Sequence, residues 1–348
     1  MKMFNKNLKY YRLKKNMSMK ELADKIGVTQ MAISHYEKGD RKPNMEIIRS
    51  LASALGVKVS DFLDKRNSKL NFVHGEFRKN TKLSLTQQEF IKESVEEYMS
   101  RFFSIVDILG NDVLTEFPKI HSLEYFDDAE KNALQMRKYL RISEFGPIGN
   151  LIEILENSGF LIFFCDILND NFFGRNGLVN IRPYIIVNKN MTAERIRSTL
   201  AHELAHIAFK WPKDMSEKDI ELSATKISGA FLFSKNDVLR ELGTRRSAIT
   251  KDMIITCKVY GISMYLLVKR AHICNVINDN IAKNFFISAN KVGWKKHEPE
   301  RIEKEFPSLF EQLVFRAVCE NEISIQKGAE LLKKPISFIE ENCLNEEW

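Results

Sequence analysis

Apolar residues recur three and four apart over most of this chain, in short segments cut by turn residues, and this rhythm predicts a protein built mainly of helices. Leu8, Tyr11 and Leu13 mark the first. Ser18 is placed to cap a second helix through Leu22, Ala23 and Ile26, which Gly27 ends; Thr29 is placed to cap a third over 30–38, which Gly39 ends. Pro43 and Asn44 precede a fourth carrying Ile47, Ile48, Leu51, Ala52 and Leu55, closed by Gly56, and Val59, Phe62 and Leu63 suggest a fifth. The stretch 65–83 is polar and weakly periodic, so it reads as a linker. Thr86 with Glu89 three residues on has the form of a capping box, ahead of a stripe of Phe90, Val95, Tyr98, Met99, Phe102, Phe103 and Val106. Helices follow over 127–140 and 148–157. At 161–165 and 183–188 the pattern changes to continuous apolar runs of strand length, with Asn176-Gly177 between them as a turn signal. Beyond 250 the helical rhythm returns over 251–276, interrupted at Gly261-Ile262-Ser263, and over 303–341.

The second and third of these helices, joined by a Gly-containing turn, have the arrangement that places a recognition helix in the major groove of DNA. On that helix Gln30, Met31, Ser34, His35 and Lys38 are candidates to face bases and backbone, Gln because it bonds adenine bidentately and Ser because it reaches either base edge. Ala32, Ile33 and Tyr36 face the core. Arg41, Lys42 and the cluster Lys9, Arg12, Lys14 and Lys15 suit phosphates. Charge supports a polyanionic partner for this part alone. Residues 1–70 hold 16 Lys and Arg against 7 Asp and Glu, whereas the remainder holds 37 against 39, so the formal +7 of the whole chain belongs to its beginning.

Leu22-Ala23, Gly27-Val28-Thr29, Ile33-Ser34, Glu37-x-Gly39, Pro43 and Leu55-Gly56-Val57 resemble the XRE (Cro/C1-type) helix-turn-helix family over nearly the whole first domain. The family often begins its second helix with Gln, which contacts the DNA backbone; Met19 stands there, which removes one expected contact.

The densest chemistry lies at His202-Glu203-Leu204-Ala205-His206. Residues four apart share a helix face, so both histidines can direct a ring nitrogen at one cation about 2.0–2.1 Å away. Glu203 follows the first ligand and is placed to take a proton from a water at the cation, the H-E-x-x-H arrangement of zinc peptidases. A third protein ligand is needed. Glu221, 15 residues after His206 on a helix whose buried face carries Ala224, Ile227, Phe231 and Leu232, is the best candidate, with Glu217 and Asp219 behind it. His272, in another apolar helix, is expected to play a core or solvated role.

The run Ile185-Ile186-Val187-Asn188, the stretch Arg195-x-Arg197-Ser198-Thr199-Leu200-Ala201 before the first histidine, and Gly146-Pro147-Ile148-x-Asn150-Leu151 with Leu155-Glu156-x-x-Gly159 are similar to the ImmA/IrrE metallopeptidase family. In that family a Glu-x-x-Ala pattern supplies the third ligand, and Glu221-Leu222-Ser223-Ala224 matches it. The resemblance spans about residues 127–240 and implies a gluzincin-like zinc site and, in several relatives, cleavage or inactivation of a repressor. Ser223, Thr225 and Phe233-Ser234 depart from the family's usual Glu, Asn or Asp, and Met-Pro, which bears on how the ligands are oriented.

The remaining composition narrows the setting. A chain of 348 residues with 44% hydrophobic content has room for two or three domains. Its longest apolar run, 160–165, falls far short of the roughly 18 residues that cross a bilayer, and the Lys-rich start lacks the features of a signal peptide, so a cytoplasmic protein is expected. Five dispersed cysteines, Cys165, Cys257, Cys274, Cys319 and Cys343, exclude a disulfide framework and a thiolate zinc cluster. Trp294, among Lys291, Lys295, Lys296 and His297, is expected to anchor a loop rather than to stack on a base.

The fold expected is therefore mainly α with a small β-sheet (α+β): a five-helix helix-turn-helix domain at 1–66, a linker at 67–85, a connecting helical segment at 86–126, a metallopeptidase-type domain at 127–240 and a helical region at 241–348. The function expected is that of a homodimeric transcriptional regulator on double-stranded operator DNA. Its Zn2+ site, His202, His206 and Glu221 with Glu203 as catalytic base, would act on a protein partner or on the chain itself. The alternative is a repressor or antitoxin that does not cleave, whose metal-site domain is a sensor or vestigial.

Overall fold

Side-chain caps set most of the helix starts. In the computed structural model, which describes residues 2–64, 66–67, 69–75, 83–169 and 171–343, helix α1 spans Lys2–Lys14 and α2 Met19–Ile26. Ser18 caps α2 in a reciprocal box with Glu21, and Gly27 ends it in the left-handed conformation at φ 74°. Thr29 caps α3 (Gln30–Lys38) and Asn44 caps α4 (Met45–Leu55). The fifth expected helix is a 3-10 turn, Val59–Leu63. Leu8, Leu22, Ile33, Leu51, Leu55 and Phe62 are all fully buried in one core.

Two features of the expected linker differ. Phe72–His74 form a short strand, β1, and residues 76–82 lie outside the described residues. Helix α5 (Leu85–Leu109) is capped not by Thr86 with Glu89 but two residues earlier, by Ser84 with Gln87 in a reciprocal box. Both pairs satisfy the same sequence rule, and Ser84 wins because Leu83 is already buried and fixes the entry of the chain.

Strand β2 (Leu123–Glu124), helices α6 (Ala129–Tyr139) and α7 (Leu151–Asn157), and strands β3 (Leu161–Cys165), β4 (Gly174–Val179) and β5 (Arg182–Asn188) follow. Then come α8 (Ala193–Ala208), β6 (Phe209–Lys210), α9 (Glu217–Leu232), α10 (Lys235–Leu242), α11 (Asp252–Tyr260), α12 (Met264–Ile273), α13 (Asp279–Lys291) and the short α14 (Trp294–His297). The chain ends in α15 (Leu309–Cys319), α16 (Ile325–Leu332) and α17 (Ile336–Cys343). The main sheet has the order β1-β4-β5-β3, with β5 parallel to β3 and antiparallel to β4; β2 and β6 pair separately in parallel. Asn176-Gly177, expected to turn, lies inside β4. A Cβ on Gly177 would lie 2.4 Å from Tyr184 Oη, so the glycine serves close cross-strand packing rather than a bend.

The chain divides into two compact units. One comprises residues 1–72, 76–111 and 311–348; the other, 73–75 and 112–310. In the first, Glu97 of α5 meets both Arg101 and Lys333. Burial alone would raise its carboxyl, but the two cations draw it down to about 2. In the second, one core runs from Ala133 through the sheet and α8 to Ala282, so the boundary expected at 240 falls inside it. Buried Arg137 of α6 donates to the carbonyls of Phe231, Ser143 and Gly146, while Arg197 of α8 donates to those of Ile148 and Gly149. The motif at 146–150 is thus held by arginines from two helices.

Candidate functional site

Helix α8 opens at Thr192, whose side chain accepts from the Arg195 N–H, and carries the two histidines one turn apart at its far end. Helix α9, capped by Ser216, packs beside it and brings up Glu221. The three side chains, all half-buried, converge: His202 Nε2 lies 3.1 Å from Glu221 Oε2 and 3.1 Å from His206 Nε2, and His206 Nε2 lies 3.6 Å from Glu221 Oε1. Ligands about 2.05 Å from a tetrahedral metal are about 3.3 Å apart, so this triangle has the dimensions of one face of a zinc coordination sphere. Two imidazole nitrogens and a carboxylate are also the donor types that zinc takes.

The flanking atoms orient the set. The Thr225 hydroxyl donates to the Glu221 carbonyl at 2.8 Å and lies 3.4 Å from His202 Nδ1, where its free lone pair can receive the N–H of that ring and leave Nε2 as the ligand nitrogen. Ser223 bonds the Tyr125 hydroxyl at 3.1 Å, and Tyr125 packs on Trp211, which in turn lies against His206. The departures at 223 and 225 therefore keep polar partners around the ligands. Glu203 is buried on the neighbouring face of α8, and Asn176 Nδ2 of β4 donates to its Oε2 at 2.7 Å. Sequence reasoning missed this amide, since Asn followed by Gly signals a turn and nothing local announces a strand.

Of the other candidates for third ligand, Asp219 accepts from the Ser216 hydroxyl at the start of α9 and Glu217 is exposed in that first turn. His272 pairs with Asp279 at 2.7 Å. Among the described residues, His202, His206 and Glu221 form the one cluster of metal-binding side chains.

In the first unit α3 leaves Gln30, Met31, His35 and Lys38 exposed and Ser34 half-buried, while Ile33 and Tyr36 are in the core. Arg41 and Lys42 are exposed just beyond it. His35 Nδ1 lies 3.3 Å from Asp40. Arg12 corrects the expectation of a phosphate contact: it is 2% exposed and bonds Glu37 bidentately at 2.5 and 2.7 Å, tying α1 to α3. Lys9 sits near Glu89 and Glu93. Met19 packs against the core at the start of α2.

Comparison with known proteins bears on both regions. A helix-turn-helix family model matches residues 8–62. An HTH-type transcriptional regulator of Methanocaldococcus jannaschii, MJ0272, is 41% identical over 54 residues, 16% of this chain and 82% of that protein. The chain belongs to the XRE-type helix-turn-helix regulators. This regulator also carries an IrrE N-terminal-like domain of the M78 peptidase family, matched over residues 155–272. The HTH-type regulator YqaE of Bacillus subtilis is 34% identical over 77 residues, 22% of the chain and 66% of YqaE; the HTH-type transcriptional activator BcrR of Enterococcus faecalis is 33% identical over 60 residues, 17% and 29%. The crystal structure of Bacillus thuringiensis PlcR in complex with the peptide PapR7 and DNA covers 98% of this chain and 95% of its own at 13% identity, with a TM-score of 0.18, too low to argue from. Among the described residues no helix is long and apolar enough to cross a membrane.

Proposed function

We propose that this regulator binds operator DNA through α3 and that its second unit is a zinc-dependent peptidase directed at a protein partner or at the chain itself. The observation that carries the second half is the triangle of His202, His206 and Glu221 ligand atoms beside a carboxylate, Glu203, that is fixed from the sheet side. A zinc ion held by His202, His206 and Glu221 would supply a Lewis acid that activates water for attack at neutral pH. Glu203 would carry a proton from that water to the leaving amine on Oε1, the oxygen left over when Asn176 holds Oε2. In the first unit Gln30, Met31, Ser34 and His35 read the groove while Lys38, Arg41 and Lys42 hold phosphates. A homodimer on a palindromic site, working in the cytoplasm, completes the reading.

The test uses the full-length protein. Zinc should co-purify at one per chain and be lost in His202→Ala. Specific cleavage should fall by about 10²–10⁴-fold in Glu203→Gln, with metal content and operator binding unchanged. Stoichiometric zinc with no cleavage of self or partner under inducing conditions makes the second unit a sensor; no stoichiometric metal makes it vestigial.

A further inference from the structure

Strand β4 meets the metal-site helix at Glu203. A Cβ added at Gly174 would lie 2.5 Å from Thr199 Cγ2 and 3.6 Å from Glu203 Cγ, and Asn176, two residues on and so on the same face, bonds Glu203. One edge of β4 is paired with β5 over six residues. The other is filled by the chain's own segment 73–75, drawn from the stretch that precedes α5: the Gly75 N–H donates to the Asn176 carbonyl at 3.2 Å, and His74 Nδ1 lies 2.8 Å from Tyr184 Oη. The occupant is thus one backbone hydrogen bond from the residue that holds the proposed base. It is also short, and Val73 is 60% exposed.

We infer that the outer edge of β4 is the place where an extended polypeptide docks beside the metal centre, and that Val73–Gly75 occupy it as an internal stand-in that a partner must displace. This rests on reading the centre as peptide-directed. Pairing along a strand edge suits an extended peptide, since main-chain hydrogen bonds supply affinity whatever the sequence. A tethered occupant competes at an effective concentration on the order of millimolar, so a free peptide binds weakly until the tethered one leaves. Gly75 is where it can be evicted: a Cβ there would lie 2.6 Å from the Asn176 carbonyl oxygen.

The test measures docking without turnover, in full-length Glu203→Gln protein. A fluorescein-labelled peptide with the sequence of residues 69–78 is titrated by fluorescence polarisation into that background alone and with Gly75→Val added. His74→Ala, which removes the Tyr184 contact without adding bulk, is the second variant should the first misfold. Amide hydrogen exchange at 73–75 and 174–179 reports whether β1 has left. Exchange that rises at 73–75, with peptide affinity roughly tenfold or more above the parent, supports the inference. A freed β1 without tighter binding overturns it, as does a parent that binds as tightly as the variants or a β1 that stays protected in both. Zinc content and cleavage are read separately, so their absence would count against the peptidase reading and leave the docking result to stand alone.

Discussion

Arg12 and Glu37 sit 3% and 5% exposed at the side chain, held by two short hydrogen bonds between α1 and α3. Removing one partner strands the other, so Arg12→Ala should cost about 3–5 kcal/mol by urea denaturation, whereas Arg12→Met with Glu37→Leu should come close to neutral. A basic residue among Lys9, Lys14 and Lys15 carries no local mark of burial, which is why charge counting placed it on phosphate. Glu156 offers a second residue-level test. Burial pushes its carboxyl up to about 7 from 4.5, although the N–H groups of Ser308 and Leu309 pull the other way. The native state then holds the proton more tightly than the unfolded chain. Its stabilising contribution is complete below pH 4.5 and is lost as pH rises through about 7. Glu156→Gln should abolish that decline, and a denaturation midpoint that still falls across the window would assign the slope to another group.

At the scale of elements, what could be read from sequence was the local chemistry of helix ends. Ser18, Thr29, Asn44, Gly27 and Gly56 each form the cap or stop that their residue types prescribe. What could not be read were choices made by distant contacts. Gly177 enters a strand because Tyr184 needs the space, and β1 exists because β4 offers an edge. The candidate metal site lies between these cases: the spacing of His202 and His206 is local, while the approach of Glu221 depends on how α9 packs on α8. The recognition helix yields its own expectation. Gln30→Ala should lose roughly 1–3 kcal/mol on the operator and relax preference at one base pair. Lys42→Ala should weaken all sequences alike and lower the salt slope by about one. Equal losses on operator and random DNA in both variants would place Gln30 on the backbone.

The whole molecule is organised differently from the simple succession that periodicity suggests. Residues beyond 240 complete the core around α8, the helix that carries His202 and His206: Met253, Tyr260, Ile262, Leu267 and Val268 are each fully buried in it. Each such side chain stabilises by about 1.5–3 kcal/mol, and five together rival the whole stability of a typical domain, about 5–15 kcal/mol. A chain truncated at 240 should therefore lack a cooperative thermal transition for its second unit, and a normal one would show the core to be redundant. The pair Asn176-Gly177 sets a different limit, on how long a working molecule lasts. Asparagine before glycine is the pair most open to attack of the following amide nitrogen on the side chain, yet Glu203 calls for the asparagine and Tyr184 forbids anything larger than glycine. The strand ladder slows the reaction without removing it. Deamidation there would set a new carboxylate against that of Glu203, so if the second unit is the proposed peptidase, stored protein should lose cleavage in step with the conversion at Asn176 seen by peptide mapping, while its hold on DNA persists. A regulator built this way carries its ageing pair directly against Glu203, beside the candidate metal site.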